Sequence, residues 1–292
     1  MSLRSYYNVI RNAWAARGFW DGAMRQIFLK LGIADPLQTV YQVWLFNFLT
    51  SEKRSSRFKS VMSIINWQAQ HYDNPRIPED RLKYWKELPQ DEYGLQGTGD
   101  GHLPGMHDVL ERYMDDLIKK GDVKTICELG CVHGSALYEM AKRYPDIHFV
   151  GIDLNVDYGK AHYQADNLTF IGDYIFDMDE ILPGGVDLMF SVRTVEAMTP
   201  AELPAFFDYC AKLKVRRILH MDEMVFGMRV DAARGKVSRV IKKGFWYHNY
   251  PAYVADSPYE IVKIEIDRSP TRHRKRGEHR YCMGDYRLRS GA

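Results

Sequence analysis

The chain has 292 residues, of which 46% are hydrophobic and 27% are charged, and its formal net charge is +2. This composition is sufficient for one sizeable hydrophobic core and a smaller accessory domain. It excludes a protein that binds polyanions through its overall charge, and it excludes an acidic, solvating chain.

Residues 1–100 are predicted to form a helical domain. Apolar and aromatic side chains recur at helical spacing in four segments, at residues 5–32, 35–52, 55–72 and 78–88. A glycine-rich stretch at residues 92–108 then marks the boundary with a second domain at residues 106–292. We expect the helices to pack on the second domain as a cap or to form a contact in a homo-oligomer.

The second domain alternates between strands and helices. Seven strands are predicted, at residues 124–130, 147–154, 168–175, 186–192, 215–222, 260–267 and 279–288. Helical stretches separate the first five strands, which is typical of a parallel sheet covered on both faces. The last two strands are joined by a basic loop, which predicts an antiparallel C-terminal strand near one edge. The predicted fold class is therefore α/β, with a seven-stranded, mostly parallel sheet and an N-terminal helical domain.

Neither the apolar segments nor the cysteines indicate a membrane protein or a metal-binding protein. No apolar run reaches the roughly 18 residues that a spanning helix needs, and the first residues lack the continuous apolar stretch of a signal peptide. The cysteines lack the second close pair that a structural zinc site needs; they are Cys127, Cys131, Cys210 and Cys282. We expect a cytoplasmic protein with reduced thiols and no transmembrane segment. No metal ligands are assigned, and assistance by a metal is an open alternative.

A glycine-containing turn follows the first predicted strand. Gly130 and Gly134 allow the backbone to turn sharply and approach a ligand, and the following helix offers free N–H groups to an anionic group. The next strand ends at Asp153, where an acid can accept both hydroxyls of a ribose. A dinucleotide fold would show a third glycine, and Glu128 would repel a pyrophosphate. The same residues suit a nucleoside that carries an ammonium and a sulfonium, which is S-adenosylmethionine.

The sequence resembles the class I S-adenosylmethionine-dependent methyltransferases over residues 106–292. The matching parts are the glycine loop Glu128–Gly134, the acid Asp153, Asp173 after the third strand, and residues 187–198 at the fourth strand. The resemblance implies a Rossmann-like sheet, with S-adenosylmethionine as cofactor and S-adenosylhomocysteine as product. The cofactor-binding residues that it implies are Glu128, Gly130, Gly134, Asp153, Leu154, Asp173, Tyr174 and Ser191.

The resemblance also implies what these residues contact. The two glycines would let the backbone pass the methionine part, and Ser191 would face the sulfonium. Asp153 would hold the ribose, and Leu154 would pack on the adenine. Asp173 would accept a hydrogen bond from the adenine amino group, with Tyr174 beside the ring. Both acids have an alternative as turn or N-cap residues, because acids that follow a strand are common in turns.

Candidate catalytic and substrate residues follow the fourth and fifth predicted strands, because ligands of open parallel sheets bind at the carboxyl ends of the strands. His220 and Asp222 fall on one side of the fifth strand and are predicted to be catalytic. Arg193, Glu196 and Glu223 are candidate substrate residues, although the first two have an alternative as surface residues. The fourth strand lacks the Asn/Asp-Pro-Pro-aromatic run that is common in methyltransferases of base amino groups, which favours an oxygen acceptor.

A further candidate base follows an insert at Val225–Gly244, which is expected to fold over the pocket as a lid. Asn249 is predicted to cap a helix with Pro251 in its first turn and to contact the substrate. His248 would then lie at the rim of the pocket, and an imidazole with an ordinary pKa of about 6.5 suits a base at neutral pH. The alternative is that His248 caps or packs only.

Together these features predict an enzyme that transfers a methyl group from S-adenosylmethionine to a hydroxyl oxygen of a small molecule, such as a sugar or a specialised metabolite. One alternative is an RNA or protein methyltransferase that uses the basic tract Arg268–Arg280. The near-neutral net charge and the lack of interleaved aromatic residues in this tract disfavour a nucleic-acid partner. Another alternative is a non-catalytic binding module of the same fold.

Overall fold

The computed structural model describes residues 71, 74–87, 106–121, 123–224, 238–242, 245–267 and 280–291. The chain divides into two compact units. The accessory unit contains Met1–Ile77, Glu196–Pro204 and Met224–Asp256, and the sheet unit contains Pro78–Val195, Ala205–Glu223 and Ser257–Ala292. The domain boundary that the sequence predicts near residues 100–106 falls mainly among residues that the structure does not describe.

Six α-helices lie in the described part of the chain: α1 Glu79–Glu87, α2 Met106–Lys119, α3 Ser135–Arg143, α4 Asp157–His162, α5 Glu202–Lys212 and α6 Tyr250–Val254. Helix α1 confirms the predicted helix at residues 78–88. The predicted helices at residues 5–32 and 35–52, and most of the one at 55–72, lie outside the described residues.

Nine strands lie in the described part of the chain: β1 Thr125–Leu129, β2 His148–Asp153, β3 Leu168–Gly172, β4 Leu188–Val192, β5 Arg217–Met224, β6 Ser238–Lys242, β7 Phe245–His248, β8 Tyr259–Asp267 and β9 Arg280–Leu288. Seven of them form one sheet in the order β3-β2-β1-β4-β5-β9-β8. Strands β1 to β5 pair in parallel, while β8 and β9 pair antiparallel. The predicted sheet of seven strands, mostly parallel with an antiparallel C-terminal pair, is confirmed.

One face of the sheet packs on α2 and α3. Leu110 and Met114 on α2 are fully buried one helical turn apart, and Leu137 on α3 is also fully buried. They belong to one hydrophobic cluster with Phe149 on β2 and Phe190 on β4. Burying a side chain of this size stabilises the fold by about 1.5–3 kcal/mol, so this cluster fixes β1, β2 and β4 beneath the two helices.

The other face of the sheet packs on the part of α5 that belongs to the sheet unit. The thiol of Cys210 on α5 lies 3.9 Å from the sulfur of Met189 on β4. The ring of Phe207 lies 6.1 Å from that of Tyr259 on β8 and 5.8 Å from that of Tyr286 on β9. Helix α5 therefore links the central strands to the C-terminal hairpin on this face. The same face carries the polar side chains of Ser191, His220 and Tyr286.

Strands β6 and β7 form a separate two-stranded antiparallel sheet in the accessory unit, in which Ser238 is opposite His248. The sequence prediction gave this region an insert without strands, followed directly by a helix. The prediction was wrong in this region, because four residues near the end of the insert pair with β7.

Candidate functional site

The loop between β1 and α3 contains three residues with left-handed backbone conformation. The φ angles are 77° at Gly130, 52° at Val132 and 76° at Gly134. The backbone N–H of Gly130 donates a hydrogen bond of 2.7 Å to the carbonyl of Ile152, which ties the loop to β2. Val132 differs from the two glycines, because a β-branched residue is disfavoured at positive φ. The loop therefore turns as sharply as the two predicted glycines suggested, with strain held at the residue between them.

Each of the two glycines faces a side chain of the same unit. A Cβ atom on Gly130 would lie closer than 3.0 Å to the side chain of Thr194, and one on Gly134 would lie equally close to the ring of Phe170. The space that each glycine leaves is thus filled by protein. It stays a prediction that these glycines approach a ligand. Such an approach would involve their backbone atoms, because the side where a Cβ would lie is occupied by Thr194 and Phe170.

Asp153 is the last residue of β2 and is held by the glycine loop. Its Oδ2 accepts a hydrogen bond of 2.9 Å from the backbone N–H of Val132, and its Oδ1 accepts one of 3.5 Å from Asn155. Burial raises the pKa of Asp153 to about 6, although the backbone hydrogen bonds lower it; the negative charge of Glu128 adds to the rise. The carboxyl group is thus fixed beside the loop and changes its charge close to neutral pH.

Glu128 lies on β1 directly before the loop and is 3% exposed. It is opposite Gly151 on β2 and Phe190 on β4 in the parallel ladder. Glu128 and Asp153 together make this end of the sheet acidic. Each carboxylate therefore raises the cost of placing a further negative charge nearby. Such a site favours a ligand that brings a positive charge.

The residues predicted for the adenine lie at the ends of β2 and β3. The backbone N–H of Asp173 donates a hydrogen bond of 3.0 Å to the carbonyl of Asp153, so the two acids are adjacent. The side chain of Asp173 is exposed, and its Oδ1 accepts a hydrogen bond of 2.7 Å from the N–H of Tyr174. Leu154 and Tyr174 are half-buried. The structure therefore brings these four residues to one edge of the sheet, and Asp173 also makes the turn contact that was its alternative.

Ser191 tests whether this end of the sheet fits a polar ligand. It lies on β4, is 2% exposed, and its hydroxyl has no hydrogen-bond partner among the residues that the structure describes. A buried polar group that lacks a partner costs about 1–3 kcal/mol. The side chain therefore fits a site that a polar or charged group of a bound molecule completes.

The candidate substrate residues are distributed over both units. Arg193 follows β4 with φ 62°, and its N–H donates a hydrogen bond of 2.9 Å to the carbonyl of Met221 in the sheet unit. Glu196 is fully buried in a short 3-10 turn at Val195–Ala197 and belongs to the accessory unit. Glu223 lies on β5, and its side chain is outside the described part of the structure. The alternative of Glu196 as a surface residue is excluded by its burial.

His220 and Asp222 lie side by side on β5, as the strand alternation predicted. Nδ1 of His220 is 2.9 Å from Oδ2 of Asp222, and Nε2 is 2.6 Å from the hydroxyl of Tyr286. Tyr286 was not identified from the sequence, because it lies 66 positions away on a strand with no catalytic motif. His220 is 1% exposed and engages a partner at both ring nitrogens; its catalytic role stays a prediction.

His248 and Asn249 lie in the accessory unit at the end of β7. Nε2 of His248 lies 3.1 Å from the carbonyl of Met198, to which it donates a hydrogen bond, and the rings of Tyr250 and Tyr253 contact the imidazole edge-on. The backbone therefore engages Nε2 of His248, and its role as a base stays a prediction. Asn249 occupies the N-cap of α6, as predicted, but its side chain makes no capping hydrogen bond, so the expected capping contact is absent.

The described part of the chain contains neither a metal-binding cluster nor a membrane-spanning helix. No group of three or more histidine, cysteine, aspartate or glutamate side chains there could hold a metal ion. None of the helices described is long and apolar enough to cross a membrane.

Known structures resemble this architecture, although no known protein-family profile and no curated protein sequence matches the chain. One is coclaurine N-methyltransferase bound to N-methylheliamine and S-adenosylhomocysteine, with 10% identity, a TM-score of 0.52, and coverage of 89% of this chain and 96% of that chain. Another is an S-adenosylmethionine-dependent methyltransferase of Leishmania major, with 14% identity, a TM-score of 0.51, and coverage of 71% and 82%. The chain therefore has the Rossmann-like fold of the class I S-adenosylmethionine-dependent methyltransferases.

Proposed function

We propose that this protein transfers a methyl group from S-adenosylmethionine to a hydroxyl oxygen of a small molecule, such as a sugar or a specialised metabolite. The observation that carries the proposal is the hydrogen bond from the loop residue Val132 to the acid Asp153 at the end of β2. It joins a sharply turned loop and a ribose-accepting acid at the carboxyl end of an open parallel sheet, where such folds bind nucleotides.

The cofactor supplies a methyl group on a positively charged sulfur, and this chain's residues suit it. Asp153 accepts hydrogen bonds from the ribose hydroxyls, and Glu128 provides negative charge near the cationic part. Asp173 and Tyr174 receive the adenine with Leu154. The hydroxyl of Ser191, which is buried without a partner among the described residues, completes its hydrogen bonding with the bound molecule.

The acceptor hydroxyl must lose a proton during methyl transfer, and two groups are candidates to take it. Asp222, held by His220, lies at the end of β5. His248, whose Nε2 lies 3.1 Å from the carbonyl of Met198, is the second candidate. We favour Asp222, because ligands of open parallel sheets lie at strand ends, and because the bond of His248 to a carbonyl suits a packing role. Arg193, Glu196, Glu223 and Asn249 are the candidates for holding the substrate.

We favour oxygen over nitrogen as the acceptor because of the residues that follow β4. This segment runs Ser191-Val192-Arg193-Thr194, without the Asn/Asp-Pro-Pro-aromatic run that is common in methyltransferases of base amino groups. The structural similarity to coclaurine N-methyltransferase concerns the fold and leaves the acceptor atom open. The basic tract Arg268–Arg280, on which an RNA or protein substrate would depend, lies outside the described residues apart from the backbone of Arg280.

A second candidate function is a non-catalytic binding module of the same fold. The observation that favours it is Thr194, whose side chain packs directly over Gly130 where the methionine part is expected to pass. Thr194 is half-exposed, and rotation about its Cα–Cβ bond moves its hydroxyl and methyl groups away from the loop. Catalysis therefore requires only this small rearrangement, which is why we rank the enzyme first.

Methyl transfer can be tested without knowing the acceptor. The protein is incubated with a metabolite extract and S-adenosylmethionine that carries a trideuterated methyl group, and the products are analysed by mass spectrometry. The proposal predicts labelled products with wild type and a large loss with Asp153→Asn. Asp157→Asn is a matched control, because Asp157 is an exposed acid nearby in the sequence, at the first residue of α4. No labelled product with any extract fraction, together with intact cofactor binding, would favour the binding module.

A further inference from the structure

Asp222, His220 and Tyr286 form a row of hydrogen-bonded side chains, which we name the buried triad. The two bonds measure 2.9 Å between Asp222 and His220 and 2.6 Å between His220 and Tyr286. Each side chain is at most 1% exposed. The row runs from β9 to β5 on the face of the sheet that packs on α5, so water does not compete for its hydrogen bonds.

The chemistry of the two outer residues fixes where the protons lie. An ionised carboxylate only accepts hydrogen bonds, so Nδ1 of His220 carries the proton in the bond to Asp222. Nε2 of the neutral imidazole then accepts, and the hydroxyl of Tyr286 donates to it. Burial raises the pKa of Tyr286 well above its usual range, so this hydroxyl keeps its proton at neutral pH.

Gly284 provides the room for the bond between Tyr286 and His220. A Cβ atom at Gly284 would lie closer than 3.0 Å to the hydroxyl of Tyr286 and to Nε2 of His220. The two rings stack with centroids 5.3 Å apart, and Phe207 on α5 contacts the ring of Tyr286 edge-on at 5.8 Å. Close packing of this kind leaves the imidazole little freedom to rotate.

The triad ends where a substrate of this fold would react. The last residue of β4, Val192, is opposite Met221, so Asp222 lies one position beyond the end of β4. Ser191, whose buried hydroxyl has no partner among the described residues, is opposite His220 on the same face. The polar side chains of this face thus converge on the carboxyl ends of β4 and β5.

We propose that Tyr286 is a positioning residue that fixes the ring of His220 through Nε2 and thereby orients Asp222 to accept the substrate's proton. This inference rests on the proposed function. In the step, the acceptor oxygen forms a bond to the methyl carbon as the carbon–sulfur bond breaks and leaves its electron pair on sulfur. The proton of the acceptor hydroxyl moves to Asp222. The site therefore requires a substrate that carries a proton on its acceptor atom.

Two other ionisable groups on β9 interact with the triad in the described part of the chain. Cys282 on β9 interacts electrostatically with Asp222, and burial raises the pKa of its thiol to about 12. Asp285 interacts with Tyr286 from the opposite face of β9, where it is paired with Arg217. Phe207 on α5 is apolar. Asp153, whose pKa is raised to about 6, is unchanged in variants of the triad, so a difference between the pH profiles of wild type and variant reports the triad.

The tautomer of His220 can be measured directly by nitrogen-15 NMR of histidine-labelled protein, with its signals assigned from a His220→Gln spectrum. Wild type should show a protonated Nδ1 and an unprotonated Nε2. Tyr286→Phe and Gly284→Ala should both shift the Nε2 signal toward that of an imidazole nitrogen without a hydrogen bond, the first by removing the donor and the second by removing the room for it. A proton on Nε2 in wild type, or unchanged signals in both variants, would overturn the assignment.

Tyr259→Phe is the matched control, because Tyr259 is also fully buried against Phe207 but donates its hydroxyl to the carbonyl of Val215 at 2.7 Å. It should leave the signals of His220 in place. In single-turnover assays, Tyr286→Phe should slow methyl transfer about tenfold or more and shift its pH profile, because a misplaced base costs rate. Equal effects of the two tyrosine variants would show a general packing role and overturn the proposal.

The two levels of the proposal fail in different ways. If wild type does not bind S-adenosylhomocysteine in calorimetry, the proposed function fails, whatever His220 does. If wild type binds it and transfers methyl groups while Tyr286→Phe keeps the rate and pH profile of wild type, the positioning role fails and the proposed function stands.

Discussion

The backbone N–H of Val132 donates a hydrogen bond of 2.9 Å to Oδ2 of Asp153. This contact joins the two features that the sequence separates by 21 positions, the loop after β1 and the acid at the end of β2. Because it fixes the carboxyl group beside the loop, the acid is oriented before any ligand arrives. Preorganisation of this kind lowers the cost of binding, so the contact is a central part of the proposed cofactor site.

Affinity for S-adenosylhomocysteine should depend on pH through Asp153, whose pKa is raised to about 6 by burial. Above this pH the carboxylate is ionised and accepts hydrogen bonds, whereas protonation below it removes acceptor capacity. If only the ionised form binds, the dissociation constant should rise about tenfold for each pH unit below about 6. Calorimetry from about pH 8 to about pH 5 measures this, and Asp153→Asn should show weak binding without the same dependence. A flat profile in wild type would contradict this role of Asp153.

Alanine at Gly134 should destabilise the fold more than alanine at Gly121. Both glycines have positive φ, 76° and 81°, but a Cβ on Gly134 would overlap the ring of Phe170, whereas a Cβ on Gly121 meets no atom within 4 Å. Backbone strain alone costs about 1–2 kcal/mol, and overpacking adds about 1–3 kcal/mol. Urea denaturation measures both variants, and equal losses would show that Phe170 moves aside at little cost.

Removing the charge of Asp285 should lower the free energy of unfolding by about 3–5 kcal/mol, because it leaves a partly buried guanidinium without its partner. Asp285 is fully buried and binds Arg217 through both carboxylate oxygens, at 2.7 and 2.5 Å, and it also accepts a hydrogen bond of 2.6 Å from Tyr113. Asp285→Asn and thermal or urea denaturation test this prediction.

The control for that variant is Glu260→Gln, which breaks the pair between Glu260 and Arg287. These side chains are 45% and 64% exposed, so the loss should stay below about 1 kcal/mol. If Asp285→Asn costs no more than this control, the network of Asp285 does not stabilise the sheet.

None of the four thiols should react with a water-soluble disulfide reagent in the native protein. All four cysteines are buried, and burial raises the pKa of each thiol, to about 12 for Cys282. The reactive thiolate is therefore both rare and shielded. Titration should find no fast thiol before denaturant is added and four afterwards, while one fast thiol in native protein would point to local opening.

The central sheet could be predicted from the sequence because its strands are short apolar runs between helices. All five residues of β4 are buried, for example, so the run of apolar residues itself marks the strand. The hairpin of β6 and β7 was missed, because Lys243 and Gly244 between its strands are not one of the Asn-Gly or Asp-Gly pairs that signal a two-residue turn.

The candidate site was predictable only where its residues are local in sequence. The pattern of a strand, a turn, a helix and a second strand is enough to predict Gly130, Gly134 and the strand-end acid Asp153. The bond between His220 and Tyr286, by contrast, depends on β9 lying next to β5, which is a property of the tertiary fold. The same holds for Thr194 against Gly130, because the loop after β4 reaches the loop after β1 only when the sheet is complete.

Calorimetry of S-adenosylhomocysteine binding tests the central claim most directly, with Asp153→Asn as the variant and Asp157→Asn as the control. The amide oxygen of asparagine can still accept the N–H of Val132, so the variant removes the charge while the loop contact is retained. The account predicts one bound molecule per chain for wild type and for Asp157→Asn, and an affinity about tenfold to a hundredfold lower for Asp153→Asn. No binding to wild type, or equal binding to all three proteins, would contradict it.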